Sequence, residues 1–284
     1  MNIIKKSLAA LISFVVASAA CDLQAVVPSQ VMTQGSADTT PPVTQQSIYP
    51  NDYGKSLTTP LAWGAGFGSI YFGAGATSTV QYGNRGMAFS HNVGDGACAA
   101  GFGLGNPVDN IGLQTTFVQY DVSKFTDWGM TFQLNHYLST SQAVAIGVQE
   151  VMLSTGGDIG RSYYFVYSQG VLADQFINKK TGATKLHYSL GVGTGAYANK
   201  SPEDIAAGKG THGTYVFGNV AYELFNEFNV ISDWNGMNLN AGLSKTFYIT
   251  KSLPIAITLG AADLTRWSGD RVRMIIGAGT GFNL

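Results

Sequence analysis

The chain has 284 residues, of which 12% are charged and 45% hydrophobic, with 36 glycines and a formal charge of -1. So low a charged fraction is unusual for a soluble surface, and the lack of net positive charge leaves no electrostatic footprint for nucleic acid. Only Cys21 and Cys98 are present, which argues against a disulfide scaffold, and past the N-terminus no apolar run reaches the roughly 18 residues of a membrane-spanning helix.

In chain order, residues 1–20 carry Lys5 and Lys6, an apolar stretch from Leu8 to Val16, and then Ala17, Ser18, Ala19 and Ala20. This is the pattern of a secretory signal peptide, with cleavage expected near residue 20 and as late as Ala25. A lipoprotein signal is the alternative, because Cys21 follows small residues. Residues 21–60 are rich in Ser, Thr, Gln and Pro without hydrophobic periodicity, and read as a flexible polar segment.

From residue 61 to 284 the pattern changes to alternation with a period of two, the mark of β-strands. The closing stretch is the sharpest example. Val272, Met274, Ile276, Ala278, Thr280, Phe282 and Leu284 share one side; Arg271, Arg273, Ile275, Gly277, Gly279, Gly281 and Asn283 share the other. Similar alternation recurs at Gly66–Val80, Ala97–Gly105, Ile111–Asp121, Asp127–Leu138, Gln142–Met152, Ser162–Leu172, Lys185–Tyr197, Gly213–Phe225, Glu227–Asn235, Asn238–Ile249 and Leu253–Leu264. The polar faces are mostly Gly, Ser, Asn and Gln, where a soluble surface favours Lys and Glu. That points to an inside-out arrangement, an all-β, antiparallel up-and-down transmembrane β-barrel of about 12 strands.

Tight turns are expected at Ser139, Asn226 and Thr250, and longer loops at Ser154, Asn199 and Thr265, which alternate between the two ends as a barrel requires. The long stretch Ala173–Thr184 fits this scheme least well. Ser201-Pro202-Glu203-Asp204 can start a helical turn, and Asn235-Gly236 marks a hairpin.

Several phrases have a familiar form: Asp95-Gly96-Ala97 leading to Gly101-Phe102-Gly103-Leu104-Gly105, Asp233-Trp234-Asn235-Gly236 with Leu239 to Ser244, Ala261 to Thr265, and the closing Gly277 to Asn283. Together they resemble an uncharacterised group of bacterial, cyanobacterial-type, outer-membrane-like barrel proteins. The resemblance implies fold and compartment and supplies no catalytic residues. The sequence departs from the usual assembly signal in ending on Leu284, with Phe282 two residues earlier.

By parity, Gln114, Gln133, Asn135, Lys185, His187, Asn229, Asp233, Asn238, Asn240, Asp263, Arg271 and Arg273 are expected to line the lumen. A charge on the lipid face would cost Arg or Lys about 2–4 kcal/mol at the midplane. Arg271 and Arg273 are expected to form an ion-paired rim beside Asp263 that also biases any pore toward anions if part of their charge stays unpaired. His91, His136, His187 and His212 are too dispersed for metal-ligand spacing, so no metal, cofactor or catalytic residue is expected. His136 with Ser139 invites comparison with barrel lipases, but His136 falls on the apolar face. Trp128, Trp234, Trp267, Phe247 and Tyr248 fall near strand ends, where aromatic girdles sit.

The leading expectation is an outer-membrane barrel, not an enzyme, with a structural or passive small-solute transport role. Its partners would be outer-membrane lipid, the barrel-insertion machinery and small solutes. The alternative is a soluble or lipid-anchored periplasmic β-protein that binds a ligand, with a barrel hydrolase less favoured.

Overall fold

A computed structural model describes residues 55–79, 81, 95–120, 128–152, 154, 161–179, 182–250 and 253–284. The signal peptide, its cleavage point, Cys21 and most of the polar segment lie outside the described residues. The chain forms twelve strands: β1 (Ser69–Thr77), β2 (Asp95–Gly105), β3 (Gly112–Gln119), β4 (Trp128–Ser139), β5 (Gln142–Met152), β6 (Ser162–Gly170), β7 (Leu186–Gly193), β8 (Val216–Phe225), β9 (Phe228–Trp234), β10 (Leu239–Thr250), β11 (Leu253–Ala262) and β12 (Arg273–Asn283). Each pairs antiparallel with its sequence neighbours, and β1 closes on β12 from Ser69↔Asn283 to Thr77↔Ile275. Closure leaves no strand edge unpaired, the condition for backbone to cross a bilayer.

The two faces differ as the alternation predicts. Every strand turns a large apolar side chain outward: Phe72, Phe102, Phe117, Leu134, Ile146, Phe165, Leu190, Val220, Val230, Leu243, Leu259 and Met274 are all exposed, one from each strand in order. The intervening positions are buried and largely polar or small, among them Thr116, Gln133, Ser168, Ser189, Asn219 and Asp233. In a soluble sandwich the apolar face would be the buried one.

At one end lie both barrel termini, Ser69 and Asn283, with the connections 106–111, 140–141, 171–185, 226–227 and 251–252; this is the turn end. The opposite, loop end carries the described connections 194–215, 235–238 and 263–272. The long 171–185 connection does not disturb the strand count; its described part holds a single helical turn at Asp174–Phe176 and an Ile177↔Thr184 bridge. Aromatic residues mark both rims: Tyr163, Trp234 and Trp267 near the loop end, Phe225, Phe228, Phe247 and Tyr248 near the turn end. Phe225 and Phe228 stack at 4.7 Å, and Trp234 meets Trp267 edge-on at 5.4 Å.

The expected helical turn at Ser201 is present as α1 (Pro202–Ala206), with the Ser201 hydroxyl accepting from the Asp204 N–H as N-cap. Most strand ends differ from the expected ones by one to four residues, and two of the differences bear on the interior. β7 stops at Gly193, because Gly195 takes φ +60 and the chain turns Tyr197 back into the barrel. β12 starts at Arg273, leaving Arg271 in the preceding connection.

Candidate functional site

The interior is the only place where many polar side chains converge among the described residues, and its geometry begins with a belt of cross-strand partners. Tyr137 pairs with Ala143, Ala143 with Ser168, Ser168 with Ser189, Ser189 with Asn219, Asn219 with Asp233, and Asp233 with Asn240. Adjacent members on one face sit close enough to bond directly, as Ser168 and Ser189 do at 2.8 Å.

Against this belt lies a segment that belongs to no strand. Residues 55–66 cross the interior from the β8–β10 wall to the β2–β4 wall, and the wall's side chains bond mainly to its backbone. The Asn219 amide donates to the Lys55 carbonyl at 3.0 Å. One oxygen of Asp233, Oδ2, accepts from the Ser56 hydroxyl (3.0 Å), the Leu57 N–H (3.1 Å), and the Thr58 N–H (2.7 Å) and hydroxyl (3.1 Å). The Asn240 amide donates to the Thr58 hydroxyl at 2.9 Å. Further along, the Ala62 N–H donates to Ser168, the Ala65 N–H to Gln114, and the Tyr137 hydroxyl to the Gly64 carbonyl.

Two apolar anchors complete the crossing. Leu57 packs with Ala221 and Ile231, and Trp63 meets Tyr137 edge-on at 5.2 Å within a cluster that includes Tyr164, Tyr197 and Phe217. The inner-wall glycines make room for this filling. A methyl group at Gly242 would come 2.9 Å from Leu57, one at Gly103 would meet the backbone of Ala65 and Gly66, and one at Gly191 would lie 2.2 Å from the Phe217 ring. Residues 55–60, assigned from the sequence to the flexible segment, are therefore packed inside the barrel, with Ser56, Leu57 and Thr59 fully buried.

The polar residues expected at the lumen have definite places. Gln114, Gln133, Asn135, His187, Asn229, Asp233 and Asn240 are buried on the inner wall. Gln133 accepts from the Tyr164 hydroxyl at 2.6 Å, and Asn135 sits against Gly64 and Gly112. Asn238 and Asp263 are also buried, but in the connections at the loop end rather than on a wall. There the Asn238 amide donates to Asp263 Oδ1 (2.9 Å) and the Ser268 carbonyl (2.8 Å), while its oxygen accepts from the N–H of Trp267 and Ser268 and the Thr265 hydroxyl. Lys185 is half-buried just before β7.

The expected arginine rim divides. Arg273 and Asp263 form a buried ion pair at 2.6 Å. Arg271 instead pairs with its exposed neighbour Asp270 through two 2.7 Å bonds, because β12 begins after it and the wall's parity no longer applies. Those bonds hold the Asp270 carboxyl below its ordinary range. Each arginine thus has a carboxylate beside it, Asp263 for Arg273 as expected and Asp270 for Arg271.

A second tie closes the loop end. The buried carboxylate of Asp204 on α1 bonds to the Gly269 N–H (3.1 Å) and pairs with Lys209 (3.2 Å), whose ammonium also reaches the Gly269 carbonyl. Lys200 donates to the Trp267 carbonyl at 2.7 Å. Among the described residues no group of three or more His, Cys, Asp or Glu is placed to hold a metal ion. His136 bonds to the Asn110 carbonyl and Ser139 accepts from the Ser141 N–H, so neither is bonded to the other as a nucleophile and base would be.

Sequence reasoning missed the crossing segment and the inward aromatics Tyr71, Tyr164, Tyr197 and Phe217. The only local signal was Trp63-Gly64-Ala65-Gly66, a large aromatic followed by small residues just before the first strand.

Comparison with solved structures returns outer-membrane barrels. The KdgM porin in complex with disordered oligogalacturonate has 9% identity and a TM-score of 0.44, over 76% of this chain and 99% of that one. The NanC porin has 11% identity and a TM-score of 0.44, over 76% and 100%. Outer membrane phospholipase A from Escherichia coli has 11% identity and a TM-score of 0.43, over 76% and 93%. No protein-family model and no curated protein sequence matches the chain, so its assignment as a closed twelve-stranded barrel rests on its own strand pairing.

Proposed function

We propose that this protein is an outer-membrane β-barrel with a passive, porin-like role, structural or in the passage of small solutes, and without catalytic activity. The observation that carries the reading is the continuous exposed apolar surface, contributed by every strand of a closed barrel whose interior is polar. Water would penalise that outer surface by roughly 25 cal/mol per Å², whereas lipid would not. Lipid is accordingly the first partner, and the insertion machinery, reading the alternation of β12, the second. The narrower assignment, to the uncharacterised cyanobacterial-type barrel group, rests on the shared strand and turn phrases alone.

The competing reading, a soluble or lipid-anchored periplasmic ligand-binding protein, would need the outward Phe, Leu and Ile side chains to be covered by other protein. Membrane fractionation separates the two. The protein should stay in the membrane pellet through salt and alkaline washes, leave it only with detergent, and change gel mobility on heating. Release by alkali without detergent would sink the barrel reading. A hydrolase is disfavoured by the separate bonding of His136 and Ser139, and turnover of phospholipid by the purified protein would reinstate it.

A further inference from the structure

Residues 55–66 are held differently from everything around them. Each barrel strand shares a ladder with two neighbours, so removing one opens the sheet. The crossing segment shares no ladder with the wall. It is fixed by single side-chain bonds from Asn219, Asp233, Asn240, Ser168, Gln114 and Tyr137, and by the anchors Leu57 and Trp63. It can leave without breaking a rung of the barrel, which places it among the elements that open at lower free energy than the whole fold. The polar groups it would uncover are amides, hydroxyls and a carboxylate, which water solvates well, and the main cost of release is uncovering the apolar seats of Leu57 and Trp63.

The bonding is concentrated at one point. Asp233 is fully buried, and its Oδ2 takes four donors from Ser56, Leu57 and Thr58, while Oδ1 has no hydrogen-bond partner among the described residues. Bonds to a carboxylate are roughly twice as strong as neutral ones, so this oxygen is the segment's main polar attachment. Lys55, the first described residue, is held at the same end of the segment by the Asn219 amide on its carbonyl.

We propose that residues 55–66 form a displaceable plug, latched on the Asp233 carboxylate, whose release opens a polar path for small hydrophilic solutes. The proposal rests on the porin-like reading above. At rest the plug spans the barrel from β8–β10 to β2–β4 and occupies the route a solute would take. Because most wall bonds go to its backbone, the attachment depends on the position of the chain more than on its side chains. The exceptions are the hydroxyls of Ser56 and Thr58, the seat of Leu57 and the contact of Trp63 with Tyr137.

The test uses the full-length protein in planar bilayers and in solute-loaded vesicles, in a background with Cys21→Ser and Cys98→Ser. Insertion and folding are scored separately by alkaline extraction and heat-modifiable mobility, so failure of the barrel reading appears as lost insertion and not as a silent channel. The parent protein should be closed most of the time. Asp233→Asn should raise the open fraction about tenfold, by weakening the charge-assisted bonds. A second pair, Thr58→Cys with Asn240→Cys, keeps Asp233 and is joined by a short bis-methanethiosulfonate, which forms a disulfide with each thiol, releases two sulfinates, and is cleaved by a reductant. The joined protein should be silent and should recover on cleavage of the linker. Conduction unchanged by cross-linking would overturn the proposal. So would folded, inserted protein in which neither Asp233→Asn nor Leu57→Asn changes the open fraction or the rate of solute release.

Discussion

Replacing Arg273 by Met tests the ion pair that ties the start of β12 to the end of β11. Its guanidinium is 5% exposed and its partner carboxylate, Asp263, 1% exposed, at 2.6 Å. Removing one member of a buried pair leaves the other charge without its counter-ion and costs about 3–5 kcal/mol. Asp263 keeps the bond from Asn238, which places Arg273→Met near the lower end of that range, at about 3 kcal/mol. With a urea slope of about 1–3 kcal/mol per molar, the unfolding midpoint should fall by roughly 1–3 M. Asp263 has φ +61, a conformation that Asn also tolerates, so Asp263→Asn is the partner substitution that adds no backbone strain. The double variant removes both charges and should lose much less than the two single losses combined, giving a large coupling energy in the cycle. Unfolding of the refolded protein in detergent micelles, followed by Trp fluorescence and by gel mobility, reads all three variants. If Arg273→Met costs under about 1 kcal/mol, or if the two single costs simply add, the pair does not act as a buried couple and the reasoning fails.

Arg271→Ala should leave that midpoint near the parent value, since Asp270 is exposed to water and Arg271 only half-buried; its effect belongs on the Asp270 titration. The folded Asp270 value is depressed, so the small stability it adds is present above the unfolded carboxylate value and is lost as pH falls through the folded one. Arg271→Ala should move the Asp270 titration, followed by NMR, up toward the ordinary range, and an unmoved curve would assign the depression to another cause. Leu57→Ala removes most of the side chain that seats the plug against Ala221 and Ile231, and should ease local opening by about 2–3 kcal/mol. Hydrogen exchange of residues 55–66 should then accelerate while the strands stay protected; loss of protection throughout the barrel would show that the segment does not open independently. Gly191→Ala places a methyl 2.2 Å from the Phe217 ring, and should cost about 1–3 kcal/mol by overpacking the inner wall. A neutral result in the same unfolding assay would mean that the ring has free space beside it.

The fold was legible because β-structure in this chain is written locally. A period of two places Met274 outward and Arg273 inward wherever the strand runs, and Leu190 and His187 separate in the same way, at 59% and 6% exposure. Turn chemistry located the connections around Ser139, Asn226 and Asn235. The same rule fails where the strand stops. Parity put Arg271 on the inner face with Arg273, but a residue in a connection has no wall to face, and it found the nearest carboxylate instead.

The chain's own residues, read without a structure, thus determined the strands, their phase and the inside-out character, because lipid-facing and interior positions must alternate along an extended backbone. Which charge meets which, and what fills the barrel, was decided only by the tertiary structure. Ser56, Leu57 and Thr58 reach Asp233 across more than 170 residues of sequence. Nothing periodic in a Ser-, Thr- and Pro-rich segment announces such a contact. It arises because closing twelve strands leaves an interior rich in amides, hydroxyls and carboxylates, and the backbone of residues 55–66 supplies donors and acceptors that this interior needs.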